Sequence, residues 1–193
     1  SVDDKIRISL KLDELGIDSI EGGWPGANPT TVQFFDEMHN YKLKHAKLSA
    51  FGSTRVFSNK TDQDPNLNAL IAAKTPCITI FGKTWDIHVE IALRISNDDN
   101  LRIIDESLRY LRPNVAHLFY DAEHFFDGFK ANQEYALATI EKAHLAGSDC
   151  LVLCDTNGGT LPTEIAEIVD FVSTFFAAKK MSPKLGIHAH NDS

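Results

Sequence analysis

Six short strand-like segments alternate with helical stretches along this 193-residue chain, with no run of hairpin turns between them. That alternation predicts an α/β fold of parallel strands and right-handed crossovers. A second observation narrows the choice. No Gly-x-Gly-x-x-Gly follows the first run, and polar clusters stand at the C-terminal end of nearly every run, which favours a (β/α)8 TIM barrel over an open doubly wound sheet. The third observation is a weak internal repeat. Leu15-Gly16-Ile17-Asp18 and Ala146-Gly147-Ser148-Asp149 each end a helix at glycine and set an aspartate just ahead of a strand. A closed barrel needs eight strands, so six predict a partial barrel lacking the first and last strands, with residues 1–193 forming one domain.

Taken in order, Ser1 to Leu15 reads as a helix with Ser1 as its cap, Asp3 and Asp4 in the first turn and Gly16 as its stop. Asp18 to Glu21 is a strand that runs into the loop Gly22-Gly23-Trp24-Pro25-Gly26. Pro29 to Tyr41 returns to helical spacing, and Ala46 to Ala50 is the next strand. Pro65 to Lys74 is helical, while Cys77 to Phe81 is an apolar, β-branched run suited to a strand covered on both faces. A helical region from Trp85 to Leu111 breaks near Ser96, which caps its second part. Val115 to Tyr120 is a strand that leads into Asp121 to Gly128, and Asn132 to Ala146 is a helix. Cys150 to Cys154 is a strand, and the last helix opens at Thr160-Leu161-Pro162 with Thr160 as cap. Gly186 to Asp192 forms the closing strand.

The formal charge of −8 and the lack of any Lys/Arg run argue against nucleic acid or an anionic membrane as partner, leaving small molecules. Three cysteines, Cys77, Cys150 and Cys154, give no even disulfide framework. Cys77 and Cys154 lie in apolar runs and read as small packed hydrophobes, which suits a cytoplasmic location. No charged-then-apolar leader and no apolar run near about 18 residues is present, so neither secretion nor membrane insertion is expected.

Chemistry concentrates at the strand ends. In the closing strand His188 and His190 project to one face while Ala189 points to the other, so two imidazoles can reach one divalent ion, with Asn191 and Asp192 just beyond. The other strand ends contribute Glu21, then Ser53-Thr54-Arg55, Lys83, Asp121 with Glu123, and Asp155-Thr156-Asn157. Each has a plainer role open to it: a salt bridge for Glu21, solvated loop charge for Arg55 and Lys83, a turn for Asp121, helix-entry capping for Asp155 and Thr156. Together they make a metal-assisted site for an anionic substrate, with Arg55 as a substrate-binding cation.

Five segments carry a family resemblance. Ile20-Glu21-Gly22-Gly23-Trp24-Pro25-Gly26, Ala50-Phe51-Gly52-Ser53-Thr54-Arg55, Tyr120-Asp121-Ala122-Glu123-His124-Phe125-Phe126-Asp127-Gly128, Leu153-Cys154-Asp155-Thr156-Asn157-Gly158-Gly159-Thr160-Leu161-Pro162 and His188-Ala189-His190-Asn191-Asp192 resemble the α-isopropylmalate, homocitrate and citramalate synthase family of metal-dependent barrels. They are most similar to its citramalate branch, and the resemblance spans essentially the whole chain. It implies an acyltransferase of branched-chain amino-acid biosynthesis that condenses acetyl-CoA with a 2-oxo acid, pyruvate in this branch, by metal-assisted Claisen chemistry. The metal, Mg, Mn or Zn, is a Lewis acid toward the ketone.

By the family's pattern His188 and His190 are metal ligands, Glu123 stands beside the reacting acetyl group, Thr156 contacts the oxo-acid carboxylate and Glu21 positions the site's arginine. A homodimer is implied as well. The family's Asp-Thr-Thr-Leu-Arg-Asp-Gly first strand, with its acidic ligand and arginine, is not in this sequence, nor is the last strand. Aromatic bulk at Trp24, Phe81 and Phe125 is expected to shorten the substrate pocket. The alternatives are a 2-isopropylmalate or homocitrate synthase, a hydroxymethylglutaryl-CoA-lyase-like enzyme, or a non-catalytic barrel fragment. Gly22-Gly23-Trp24-Pro25 favours a synthase over a lyase.

Overall fold

The computed structural model describes residues 1–191. Six strands, β1 (Ser19–Gly23), β2 (Lys47–Ser53), β3 (Cys77–Lys83), β4 (His117–Glu123), β5 (Cys150–Asp155) and β6 (Lys184–Ala189), form one sheet in sequential order. Every neighbouring pair is parallel, so each connection crosses over through helical structure as the alternation predicts. The sheet is curled. Five spacings of a flat sheet would put β1 and β6 about 24 Å apart, yet Glu21 on β1 and His188 on β6 are close enough for their charges to interact.

Curling gives each strand two different environments. Ile78 and Ile80, Leu118 and Tyr120, and Leu151 and Leu153 are fully buried or nearly so on the convex face. There they join one core with helix residues such as Leu67, Leu70, Ile104, Leu108, Ile140 and Val172. The alternate residues, among them Thr79, Phe81, Asp121, Glu123 and Cys154, face the concave side. Strands β2, β3 and β4 run past their apolar segments into Ser53, Lys83 and Glu123, so the polar strand ends belong to the sheet itself.

The helices α1 (Val2–Leu15), α2 (Pro29–Met38), α3 (Pro65–Ala72), α4 (Asp86–His88), α5 (Asn97–Leu111), α6 (Phe125–Ala131), α7 (Gln133–Leu145) and α8 (Pro162–Ala178) are set by local signals. Ser1 caps α1 by accepting from the Asp4 N–H, and Gly16 ends it in a left-handed conformation. Ser96 caps α5 by accepting from the Asp99 N–H, as expected. The preceding stretch from Trp85 is one helical turn running into a π turn, Val89–Leu93, that stops at left-handed Arg94. Gly147 matches Gly16 with a positive φ, which gives the internal repeat a physical basis.

One local reading is added and one corrected. Phe125 to Gly128, unassigned from the sequence alone, opens a helix in which Phe125 and Phe126 are fully buried in the core and Gly128 lies where a Cβ would meet the Thr84 carbonyl oxygen at 2.8 Å. The cap of α8 is Leu161, not Thr160. The Leu161 N–H is satisfied by Glu164 at 2.9 Å, whereas the Thr160 N–H and hydroxyl are both spent on Asp155.

Asp13 ties α1 to the approach of β2, its carboxylate accepting from the backbone N–H groups of Lys44, His45 and Ala46, each at 2.8 Å. Those bonds lower its pKa from 3.8 to about 2. A depressed carboxylate adds stability above its unfolded pKa and loses it as pH falls through the folded one. Asp13→Asn should therefore lower the melting temperature at neutral pH, and the gap between variant and parent should close as pH falls from 3.8 to about 2. A gap that stayed constant across that window would show that the charge of Asp13 is not what holds the junction.

Candidate functional site

The concave face gathers its chemistry at the C-terminal ends of the strands. On β1 a bulge between Glu21 and Gly23 shifts the register with β2 just before the strand ends at Gly23. Only glycine fits at 22, where a Cβ would come within 2.6 Å of the Phe34 ring. Burial raises the Glu21 carboxyl above its ordinary range, opposed by the charge of His188 and by the Thr79 hydroxyl. Asp121 on β4 is 8% exposed and makes no hydrogen bond or ion pair among the described residues. Burial, reinforced by the Glu21 carboxylate, pushes it up to about 7.

Beside it are Cys154 on β5 and His188 on β6, paired in register. The ligand atoms of Asp121, Cys154 and His188 all lie within 4.8 Å of one another. His188 and His190 share a face, their rings nearly parallel at 11° with centroids 5.0 Å apart. His190 is further held by its N–H to the Asp155 carbonyl at 3.3 Å and by Gly158, whose positive φ lets the following loop pack on the His190 backbone. Asp192 lies outside the described residues.

A second group sits one step further toward the mouth. Glu123 ends β4 and forms an ion pair with Lys83 at the end of β3, a pairing set by the strand register. The next residue, His124, has φ 54, a left-handed conformation unusual for a non-glycine residue. Its N–H donates to the Thr156 hydroxyl oxygen at 2.9 Å, and its ring meets His88 edge-on at 4.5 Å. Since the Thr156 oxygen is accepting, its own proton is free to donate to a bound anion.

Aromatic walls complete the mouth. Trp24, Phe51 and Phe81 pack together, with Phe51 and Phe81 stacked at 5.6 Å and Trp24 edge-on to both. The Trp24 indole N–H is fixed by Asn66 at 2.6 Å. Phe125, expected here, is instead in the outer core against Phe126 and Phe129. It follows β4 after the left-handed turn, which carries it away from the concave face. Phe51 takes the place expected of it and was missed because Phe51-Gly52-Ser53 reads as a loop start.

The structure thus brings Glu21, Glu123, Thr156, His188 and His190 to one end of the sheet and leaves Arg55 elsewhere. The Arg55 guanidinium pairs with Glu106 on α5 and donates to the carbonyls of Val56, Phe57 and Asn59. It is a buried brace for the loop after β2, and its donors are committed to this chain. Cys154 was read as packing alone, since an apolar run hides which of its residues face inward. Asp121 and Glu123, two apart, carried the one available signal that both face the same side.

Parallel βα units with acids, imidazoles and a hydroxyl gathered at the strand C-termini define a barrel of the kind that hosts enzyme chemistry. The HMGL-like family model matches residues 1–193, and the chain belongs to that family. It is 56% identical over its whole length to a protein named (R)-citramalate synthase from Geobacter sulfurreducens, covering 35% of it, and 52% identical to one from Aquifex aeolicus, covering 36%. A 2-isopropylmalate synthase from Shouchella clausii is 29% identical over 90% of the chain, which covers 32% of that protein. The chain therefore spans about a third of the length of the curated relatives it matches. Among solved structures, hydroxymethylglutaryl-CoA lyase from Pseudomonas aeruginosa superposes with a TM-score of 0.74 at 17% identity, covering 98% of this chain and 61% of that one. At that identity it shows the shared barrel fold alone.

The Arg55 geometry gives a test on stability. Lysine keeps the charge but offers neither the planar fork nor donors for three carbonyls and a carboxylate together. Arg55→Lys should cost roughly 1–3 kcal/mol in unfolding free energy, measured by denaturant titration. Unchanged stability would remove Arg55 as a brace.

Proposed function

We propose that this chain carries the larger part of the catalytic barrel of a citramalate synthase, an acyltransferase that condenses acetyl-CoA with pyruvate. The observation that carries this reading is the mouth cluster, in which Glu21, Glu123, Thr156 and the histidine pair converge from β1, β4, β5 and β6. The branch is supported by identities of 43–56% to proteins named (R)-citramalate synthase, against 28–29% to proteins named 2-isopropylmalate synthase.

Members of the HMGL-like family are typically dependent on a divalent metal. The residues present fit one. Asp121 is a buried acid whose carboxyl feels the charge of the more exposed Glu21, and adjacent imidazoles offer neutral nitrogen. His188 and His190 would hold the ion. When bound, it supplies Lewis-acid polarisation of the ketone.

The chain's own residues do the rest. Thr156 donates its hydroxyl proton to the oxo-acid carboxylate, fixed in that role because its oxygen already accepts from His124. Glu123, held by Lys83, presents a carboxylate to the acetyl methyl, where loss of a proton creates the nucleophile. Glu21 stands ready to orient a cationic group through its carboxylate at the end of β1. Trp24, Phe51 and Phe81 form an apolar wall that leaves room for a short acyl group.

Assayed by thiol release from acetyl-CoA, pyruvate should give a higher kcat/KM than 2-oxoisovalerate, by the factor that about 1–3 kcal/mol of pocket fit allows. The reverse order would overturn the branch while leaving the reaction class intact. Glu123→Gln keeps size but removes basicity, so kcat should fall roughly 10²–10⁴-fold with pyruvate binding little changed. Turnover equal to the parent's would take Glu123 out of the chemistry.

A further inference from the structure

We propose that Lys83 is a catalytic residue whose ammonium holds the thioester oxygen of acetyl-CoA as that oxygen becomes an enolate, while Glu123 takes the methyl proton. This rests on the reading of Glu123 as the base, and it adds the group that receives the charge the base gives up.

The first support is the way the ammonium is held. Lys83 and Glu123 are direct partners at the ends of β3 and β4, so the sheet register sets cation and carboxylate side by side. The strand end that carries Lys83 is itself pinned, because the fully buried Asn100 donates to the Lys83 carbonyl at 2.8 Å. The two paired side chains are 22% and 23% exposed, so water and salt screen them less than they would a surface pair.

The second support is what the ammonium has left to give. It carries three N–H donors, and among the described residues Lys83 spends one, on Glu123. Arg55, the cation that follows β2, has its guanidinium committed to Glu106 and to backbone carbonyls. A cavity of about 560 Å³ opens beside Lys83, walled by Phe57, Phe81, Leu93 and Ile103. The Phe81 ring centroid stands 5.7 Å from the Lys83 Nζ. An acyl thioester lying along that apolar space brings its carbonyl oxygen to the remaining N–H groups.

Charge conservation explains the pairing. When the Glu123 carboxylate takes a methyl proton it becomes neutral, the C–H electron pair forms the C=C bond, and the carbonyl π pair moves to oxygen. One negative charge has then passed from Glu123 to the thioester oxygen beside the same ammonium, which transfers a hydrogen bond from one oxygen to the other. The ammonium keeps an anionic partner throughout, so no ion is left uncompensated in a poorly hydrated site. Attack of the enolate carbon on the ketone restores the thioester carbonyl and passes the electron pair to the ketone oxygen. Release of the Glu123 proton to solvent then returns the ammonium to the carboxylate.

Enolisation can be read directly, by the wash-in of deuterium from D₂O to the acetyl-CoA methyl group, with a divalent metal supplied and oxamate, an unreactive isostere of pyruvate, in the acceptor's place. In the full-length protein Lys83→Met should slow this exchange roughly 10²–10³-fold, the effect of removing one oxyanion donor, with acetyl-CoA binding little changed. Lys83→Arg keeps a charged donor and should recover part of the loss. Methylammonium added to Lys83→Ala should raise exchange in proportion to its concentration, a response that a folding defect does not give. Exchange by Lys83→Met at the parent rate would overturn the proposal and leave Glu123 as the base. A loss that neither arginine nor methylammonium restores would also overturn it, and would make Lys83 a positioning residue for Glu123. A parent protein that exchanges no deuterium would overturn this proposal and the acetyl-CoA reading together.

Discussion

The alternation of side chains along six parallel strands is the constraint from which the rest follows. In a curled sheet one set of residues meets helices and must be apolar, and the other set meets the inside of the curl. Ile78, Ile80, Leu118, Leu151 and Leu153 satisfy the first demand so completely that the strands have no freedom to slip. A shift of one residue on β4 would bury Asp121 and Glu123 among the helices and turn Tyr120 inward. The polar cluster is therefore held in place by hydrophobic packing on the opposite face, several ångströms from any reacting group.

That arrangement explains which parts of the structure were legible in the sequence. Apolar runs such as Cys77-Ile78-Thr79-Ile80-Phe81 announce a strand, and capping residues such as Ser1 and Ser96 announce helix starts, because both signals are local. Strand ends were underestimated for the same reason. Lys83 and Glu123 belong to strands only because their neighbours pair with them, and pairing leaves no mark on either segment alone.

Side-chain destinations were less legible still. Arg55, next to two hydroxyls at a strand end, has the composition of a substrate clamp. Its partner Glu106 lies on a helix 51 residues later, so nothing near Arg55 reveals that its donors are taken. Thr160 preceding Leu161-Pro162 looks like a helix cap, yet Asp155 captures it first. Cys154 and Phe51 show the converse case, in which residues that look like packing face the site once the parity of each strand is known. In each instance the deciding contact is long-range or depends on register.

The left-handed backbone at His124 ties the ends of two strands together. Glu123 immediately precedes it, and its N–H is bonded to Thr156 on the neighbouring loop. A strained conformation persists only while its surroundings enforce it, so the Glu123 carboxylate and the Thr156 hydroxyl form a single mechanical unit. In the proposed reaction, selection acting on Thr156 would therefore shift the position of Glu123 as well. Under the proposed function, adaptation to a different acceptor would fall first on Trp24 and Phe51, since Phe81 is tied to that unit through Lys83, whose Nζ pairs with Glu123 and lies 5.7 Å from the Phe81 ring centroid.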